Sequence, residues 1–154
     1  MEPSAAILPR LRTQLAGVPA LLEGIGRDRY DAPVGDAWSV TQTVAHLARY
    51  HELTLDRIRA ILAEETPTLA AYRAEADPEW PAWQAHVFEE LMLRLHASRA
   101  ALIDIVERLT PEQWARTGRH PTFGPLTLRA WLEFFLVHEG HHLYVIMKRA
   151  RGVR

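Results

Sequence analysis

The chain has 154 residues, a formal net charge of −1 and no cysteine. That length suits a single domain over residues 1–154 with a sizeable core, and the interspersed charges leave no basic stripe for nucleic acid. Without cysteine there is no disulfide, no thiolate metal site and no cysteine nucleophile, so any thiol chemistry must take its sulfur from a small molecule. The first ten residues, Met1 to Arg10, lack a basic start followed by an apolar run, and no apolar run approaches the roughly 18 residues of a membrane span. The expectation is a soluble cytoplasmic protein.

From about Ser4 to Ile25 the apolar residues Ile7, Leu8, Leu11, Leu15, Val18, Leu21, Leu22 and Ile25 follow a three-four spacing, which predicts an amphipathic helix. Pro9 is expected in its first turn, and Pro19 is expected to kink or split it. Arg27 to Ala37, preceded by Gly26 and holding Asp28, Asp31, Pro33, Gly35 and Asp36, reads as a loop. A second helix starts at Ser39, whose side chain can cap Gln42 while Gln42 reaches back, and runs to about Ala63. Its main stripe is Val40, Val44, Leu47, Leu55, Ile58 and Leu62, with His51 inside it. His46 lies some 140° from the middle of that stripe, so periodicity favours His51 as the more buried ring.

Glu64 to Pro78 is a long connection that lets the second and third helices lie side by side. The third is predicted from Glu79 or Pro81 to Leu109, with Trp83, Val87, Phe88, Leu91, Leu95, Leu102, Ile105, Val106 and Leu109 on one stripe. Thr110 then caps a short extra helical turn with Pro111 first inside, and Arg116 to Pro125 reads as irregular. Thr127 caps a fourth helix that ends near Ala150 in the basic turn Lys148-Arg149-Ala150-Arg151. No strand pattern and no repeat is evident. Four long helices predict an all-α four-helix bundle, where sites form from facing helices.

The last helix carries Trp131-Leu-Glu-Phe-Phe-Leu-Val-His138-Glu-Gly-His-His142-Leu-Tyr-Val-Ile146. At about 100° per residue, His138 and His142 fall in the middle of an apolar stripe with Trp131, Phe134, Phe135 and Val145. The two rings are one turn apart, roughly 6 Å along the axis, and can converge on one atom. A buried polar ring needs a partner, and one metal ion satisfies two rings together. His141 lies about 100° round from His142 and cannot share the same centre.

His138-Glu139-Gly140-His141-His142 also matches H-E-x-x-H, in which the glutamate of a zinc protease is the general base. The twelve residues after His142 contain no His, Asp or Glu to complete such a site, so any third ligand must lie upstream. Trp38-Ser39 followed after six residues by His46-Leu47, then Phe123-Gly124-Pro125-Leu126-Thr127-Leu128, then His138-Glu-Gly-His141-His142-Leu143, resembles the DinB or YfiT-like superfamily of metal-binding four-helix bundles. The resemblance covers most of the chain. It implies a divalent metal held by His46, His138 and His142, and so selects His46 over His51. Where that family often has Gln-Ile, this chain has Val145-Ile146, a change expected in the pocket rather than at the metal. The competing reading is that His138 and His142 are core histidines hydrogen-bonded to Tyr50 or backbone.

His86, His96 and His120 follow no pattern and are expected at the surface or in loops. His141 is expected beside the ligands or exposed, and Glu139 as a neighbour of the ligand set. Three neutral imidazoles leave coordination positions open, as catalytic sites do, and imidazole suits zinc, nickel, iron or copper. Zinc or nickel is expected first, with iron or manganese as alternatives. The resemblance further implies a small-molecule substrate, a homodimer and a metal-dependent enzyme of the thiol S-transferase type using an exogenous low-molecular-weight thiol. Two alternatives stand beside it: a metal-dependent hydrolase, with Glu139 or another acid relaying the proton, and a non-enzymatic, stress-related metal-binding bundle.

Overall fold

A computed structural model describes residues 3–154. Four long helices, α1 (Pro3–Thr13), α2 (Val40–Ala63), α3 (Phe88–Glu107) and α4 (Leu128–Ala150), form a four-helix bundle. α2 packs against both α3 and α4, and α1 closes the other side against the same two helices. The apolar stripes meet in two buried clusters. One holds Ile7, Leu11, Ile58, Leu102, Leu132 and Phe135; the other holds Val44, Leu47, Leu91, Leu95 and Ile146 at the opposite end. Burying each of these side chains contributes about 1.5–3 kcal/mol, so the three-four spacing fixes which face of each helix turns inward. Among the described residues, no helix is long and apolar enough to cross a membrane.

The starts of the helices are set locally. Ser39 Oγ accepts from the Gln42 amide at 3.1 Å and Gln42 Oε1 accepts from the Ser39 amide at 2.9 Å, the expected capping box. Thr110 and Gln113 repeat it on the short helix Pro111–Ala115, and Thr127 caps α4 through Ala130 N. These caps fix where α2 and α4 begin.

Three expectations need correction. The first helix does not run to Ile25: it ends at Thr13, passes through a tighter turn at Gln14–Gly17 and resumes for one turn at Val18–Leu21. Pro19 lies at the start of that resumed turn, where its missing N–H costs nothing, and Pro9 lies inside α1 rather than in its first turn. The third helix is likewise divided. Trp80–Gln84 forms one turn with both tryptophans buried, Val87 is extended (φ −77°, ψ 155°), and α3 begins at Phe88. Finally, part of Arg116 to Pro125 is a hairpin of β1 (Thr117–His120) and β2 (Gly124–Thr127), with Thr117 opposite Thr127.

The hairpin carried little signal because its strands are four residues long and hold Gly118, Gly124 and Pro125, all poor strand formers. It is held from outside itself. Trp131 Nε1 donates to the Gly118 carbonyl at 3.1 Å, and Thr68 in the long connection pairs in parallel with Arg119. The connection between α2 and α3 is thus drawn along one face of α2, where Tyr72 and Trp80 come to rest against His46.

Candidate metal centre

His46 lies in the second turn of α2, seven residues after the Ser39 cap, and His138 and His142 lie one turn apart on α4. Packing α2 beside α4 brings the three rings together. His46 Nε2 is 3.1 Å from His138 Nε2, and one ring nitrogen from each of His46, His138 and His142 lies within 4.8 Å of the others. Ring centroids are 4.4 Å apart for His46 and His142, 4.6 Å for His138 and His142 and 5.2 Å for His46 and His138. The trio implied by the resemblance is therefore the trio that meets in space.

Two neutral imidazoles can share one proton across 3.1 Å, but that does not account for the cluster. Nδ1 of each of the three rings is buried with no hydrogen-bond partner. Core histidines satisfied by Tyr50 or backbone would not show this. Burial depresses the His46 imidazole to about 4. Burial, then the neighbouring rings, depress His138 to about 2 and His142 to about 3. All three stay neutral at pH 7 with lone pairs available, the state a metal requires. The donor set fits a divalent transition ion.

Aromatic faces orient the rings. Tyr50 stacks on His138 at 3.9 Å between centroids and 27° between planes, Tyr72 stacks on His46 at 5.6 Å and 24°, and Trp38 lies 5.2 Å from His46. These neighbours hold the imidazoles where carboxylates or carbonyls more often do. Beside His142, a cavity of about 320 Å³ is lined by Asp36, Ala37, Trp38, His141, His142, Val145 and Arg149. Val145, the departure from the family pattern, does stand in the wall of this pocket. A larger cleft of about 490 Å³ lies beyond Tyr72, along Arg49, Leu53 and Arg57.

His51 is the more buried ring, 1% exposed against 6% for His46, as periodicity indicated, and it belongs to a different constellation. Its Nδ1 donates to the Leu47 carbonyl at 2.7 Å, and its Nε2 accepts from Arg99 Nη2 at 3.0 Å. Arg99 also pairs with Glu139 Oε2 and donates to the Leu11 carbonyl at 2.8 Å, while Gln14 Nε2 donates to Glu139 Oε1 at 2.8 Å. Glu139 is 0% exposed. Burial alone would raise its carboxyl, but the Arg99 guanidinium beside it holds it below the usual range.

Glu139 is thus not a neighbour of the ligand nitrogens. The 100° turn from His138 carries it to the side of α4 facing Arg99 and α1, which removes both the protease reading and the use of Glu139 as proton relay. Helical periodicity alone does not single out Arg99. Its signal was an arginine four residues after Leu95 and three before Leu102, inside an apolar stripe. His86 pairs with Glu90 at 2.9 Å, His96 is exposed, and His120 accepts from the Thr122 amide in the hairpin turn; none approaches the cluster. His141 is exposed on the cavity wall.

Residues 10–146 match the profile of the DinB superfamily. The chain is 31% identical over 150 residues to YfiT of Bacillus subtilis, covering 89% of this chain and 80% of that protein. It is 27% identical over 123 residues to a Bacillus cereus AH820 relative, covering 79% and 70%. The YfiT structure, described as a probable metal-dependent hydrolase with an unusual four-helix bundle topology, superposes with a TM-score of 0.83 at 26% identity over 96% of this chain and 86% of that one. A second four-helix bundle protein, TT2238, gives a TM-score of 0.65 at 26% identity over 92% and 95%.

Proposed function

Since the chain belongs to the DinB superfamily and gathers three buried imidazoles between α2 and α4, we propose that it is a divalent-metal enzyme acting on a small molecule. The observation that carries this reading is the approach of His46 to His138 at 3.1 Å beside His142, with three buried Nδ1 atoms lacking partners. His46, His138 and His142 hold the ion through neutral ring nitrogens. When bound, such an ion is a Lewis acid that makes a nucleophile available at neutral pH. Trp38, Tyr50, Tyr72 and Trp80 pack against the imidazoles and limit the directions from which they can be approached. The cavity bordered by His142 and Val145 receives the substrate.

The finer reading is thiol S-transfer. The chain has no cysteine, so a low-molecular-weight thiol enters as cosubstrate; it loses its proton to solvent, its sulfur bonds to the electrophilic carbon of a substrate in the same cavity, and the leaving group departs with the electron pair of the bond it breaks. Hydrolysis is the second reading, supported by the description of the YfiT structure as a probable metal-dependent hydrolase. In it water takes the place of the thiol, and Glu139, sealed against Arg99, takes no part.

Elemental analysis of untagged protein purified without chelator, beside His138→Ala, tests the metal. About one equivalent of zinc, nickel, iron or manganese in the parent and little in the variant is expected. A parent that neither carries nor takes up any of these ions would overturn the reading. A charge-transfer band that appears in cobalt-substituted protein on adding a thiol supports transfer, while turnover of model esters without thiol supports hydrolysis.

A further inference from the structure

Arg149 lines the same cavity as His142. It follows His142 by seven residues, about two helical turns or 10.5 Å of rise and only some 20° of rotation, so the two side chains share one stripe of α4. Val145 lies between them on that stripe, and Trp38 and Ala37 face it from the loop before α2. The cavity therefore has an imidazole of the candidate centre and a guanidinium in one wall, with Val145, Trp38 and Ala37 as its apolar part and the exposed His141 beside them.

That guanidinium is not spent within the protein. Arg149 donates through Nη1 to the Val153 carbonyl at 2.9 Å, its Nε is buried without a partner, and no carboxylate pairs with it among the described residues. Arg12, Arg27, Arg49, Arg99 and Arg108 all have acidic partners. Asp36, the carboxylate that lines the same cavity, pairs with Arg154 instead. Arg57, in the larger cleft, also lacks an acid but donates to the Tyr50 hydroxyl at 3.2 Å and the Ala70 carbonyl at 2.7 Å. A guanidinium with unused donors at a cavity wall is suited to a carboxylate, whose oxygens accept charge-assisted hydrogen bonds from it.

We infer that the substrate is a small carboxylate, its anionic end held by Arg149, its apolar middle against Val145 and Trp38 and its reacting end at His142. A volume of about 320 Å³ is at the low end for ligand pockets, about 300–1,000 Å³, so the molecule is short. Arg149 is a specificity-determining residue that selects acids over their neutral isosteres. The inference rests on the metal-enzyme reading of the site, which supplies the reacting end.

The test titrates cobalt-loaded full-length protein with butyrate and, separately, with uncharged butyramide, and reads binding by calorimetry. Parent, Arg149→Met and Arg149→Lys are compared, each with its metal content and Tm measured. Butyrate is expected to bind the parent at least tenfold more tightly than butyramide. Arg149→Met should lose that preference at an unchanged metal content, and Arg149→Lys, which keeps the charge without the fork, should fall between. A carboxylate held by the metal alone would bind parent and Arg149→Met equally, and that result with a full metal complement overturns this inference while leaving the metal centre standing. Absence of metal from the parent counts against the centre itself and is read independently of the titration.

Discussion

Arg99 of α3 and Glu139 of α4 form an ion pair in the middle of the bundle, 40 residues apart in sequence and with side chains 5% and 0% exposed. The same guanidinium reaches His51 on α2 and the Leu11 carbonyl on α1. One side chain thus touches all four helices, and Glu139, its partner, is the residue directly after His138.

Breaking this pair by removing one member leaves a buried charge alone, which costs about 3–5 kcal/mol. Urea unfolding at pH 7 should show that loss for Arg99→Met and for Glu139→Gln. The double variant Arg99→Met/Glu139→Leu should lose less than the two single losses combined, because neither charge is stranded. Single losses under about 1 kcal/mol would show that the pair does not tie the bundle.

Metal should stabilise the fold by mass action. At a hundredfold excess over its dissociation constant, an ion that binds only the folded chain adds about 2.7 kcal/mol, roughly 5–10 °C in Tm for a chain of this size. Chelator should lower the parent's Tm by that amount, and added metal should restore it. His46→Ala, which removes the α2 ligand, should melt at the same temperature with and without metal.

Ser39→Ala removes the side chain that caps α2 and should cost about 1 kcal/mol. The ring positions on α2 and α4 remain, so metal content per folded molecule should be unchanged. A full loss of metal from this variant would mean that the cap, and not helix packing, sets the position of His46.

Gly118→Val probes the docking of the hairpin. A Cβ at Gly118 would lie 2.8 Å from Ile61 Cγ1 and 2.9 Å from Leu69 Cδ1, so the larger side chain should cost about 1–3 kcal/mol by overpacking. Thermal unfolding measures it; a Tm within a degree of the parent's would mean that the hairpin swings clear of α2.

Much of this architecture is legible in the residues. The caps at Ser39, Thr110 and Thr127 and the three-four stripes of α2 and α4 mark those elements correctly, because capping and amphipathicity are local signals. The break at Gln14–Gly17 and the hairpin depend on distant contacts, Gln14 with Glu139 and Trp131 with Gly118, which no local pattern carries. The pairing of His138 with His142 could be read from helical phase. His46 could not, since it lies off the main stripe of α2, and the resemblance supplied it. Arg99 was hidden because a single arginine inside an apolar stripe looks like an interruption until its partner is seen.

The position of Glu139 bears on how this scaffold could be re-used. His138 and Glu139 are consecutive, yet one faces the imidazole cluster and the other anchors the helix to Arg99. The anchoring set and the ligand set share no side chain. An engineer could exchange His46, His138 and His142 for another trio of donors, or for none, while the adjoining residue continues to hold α4 in register.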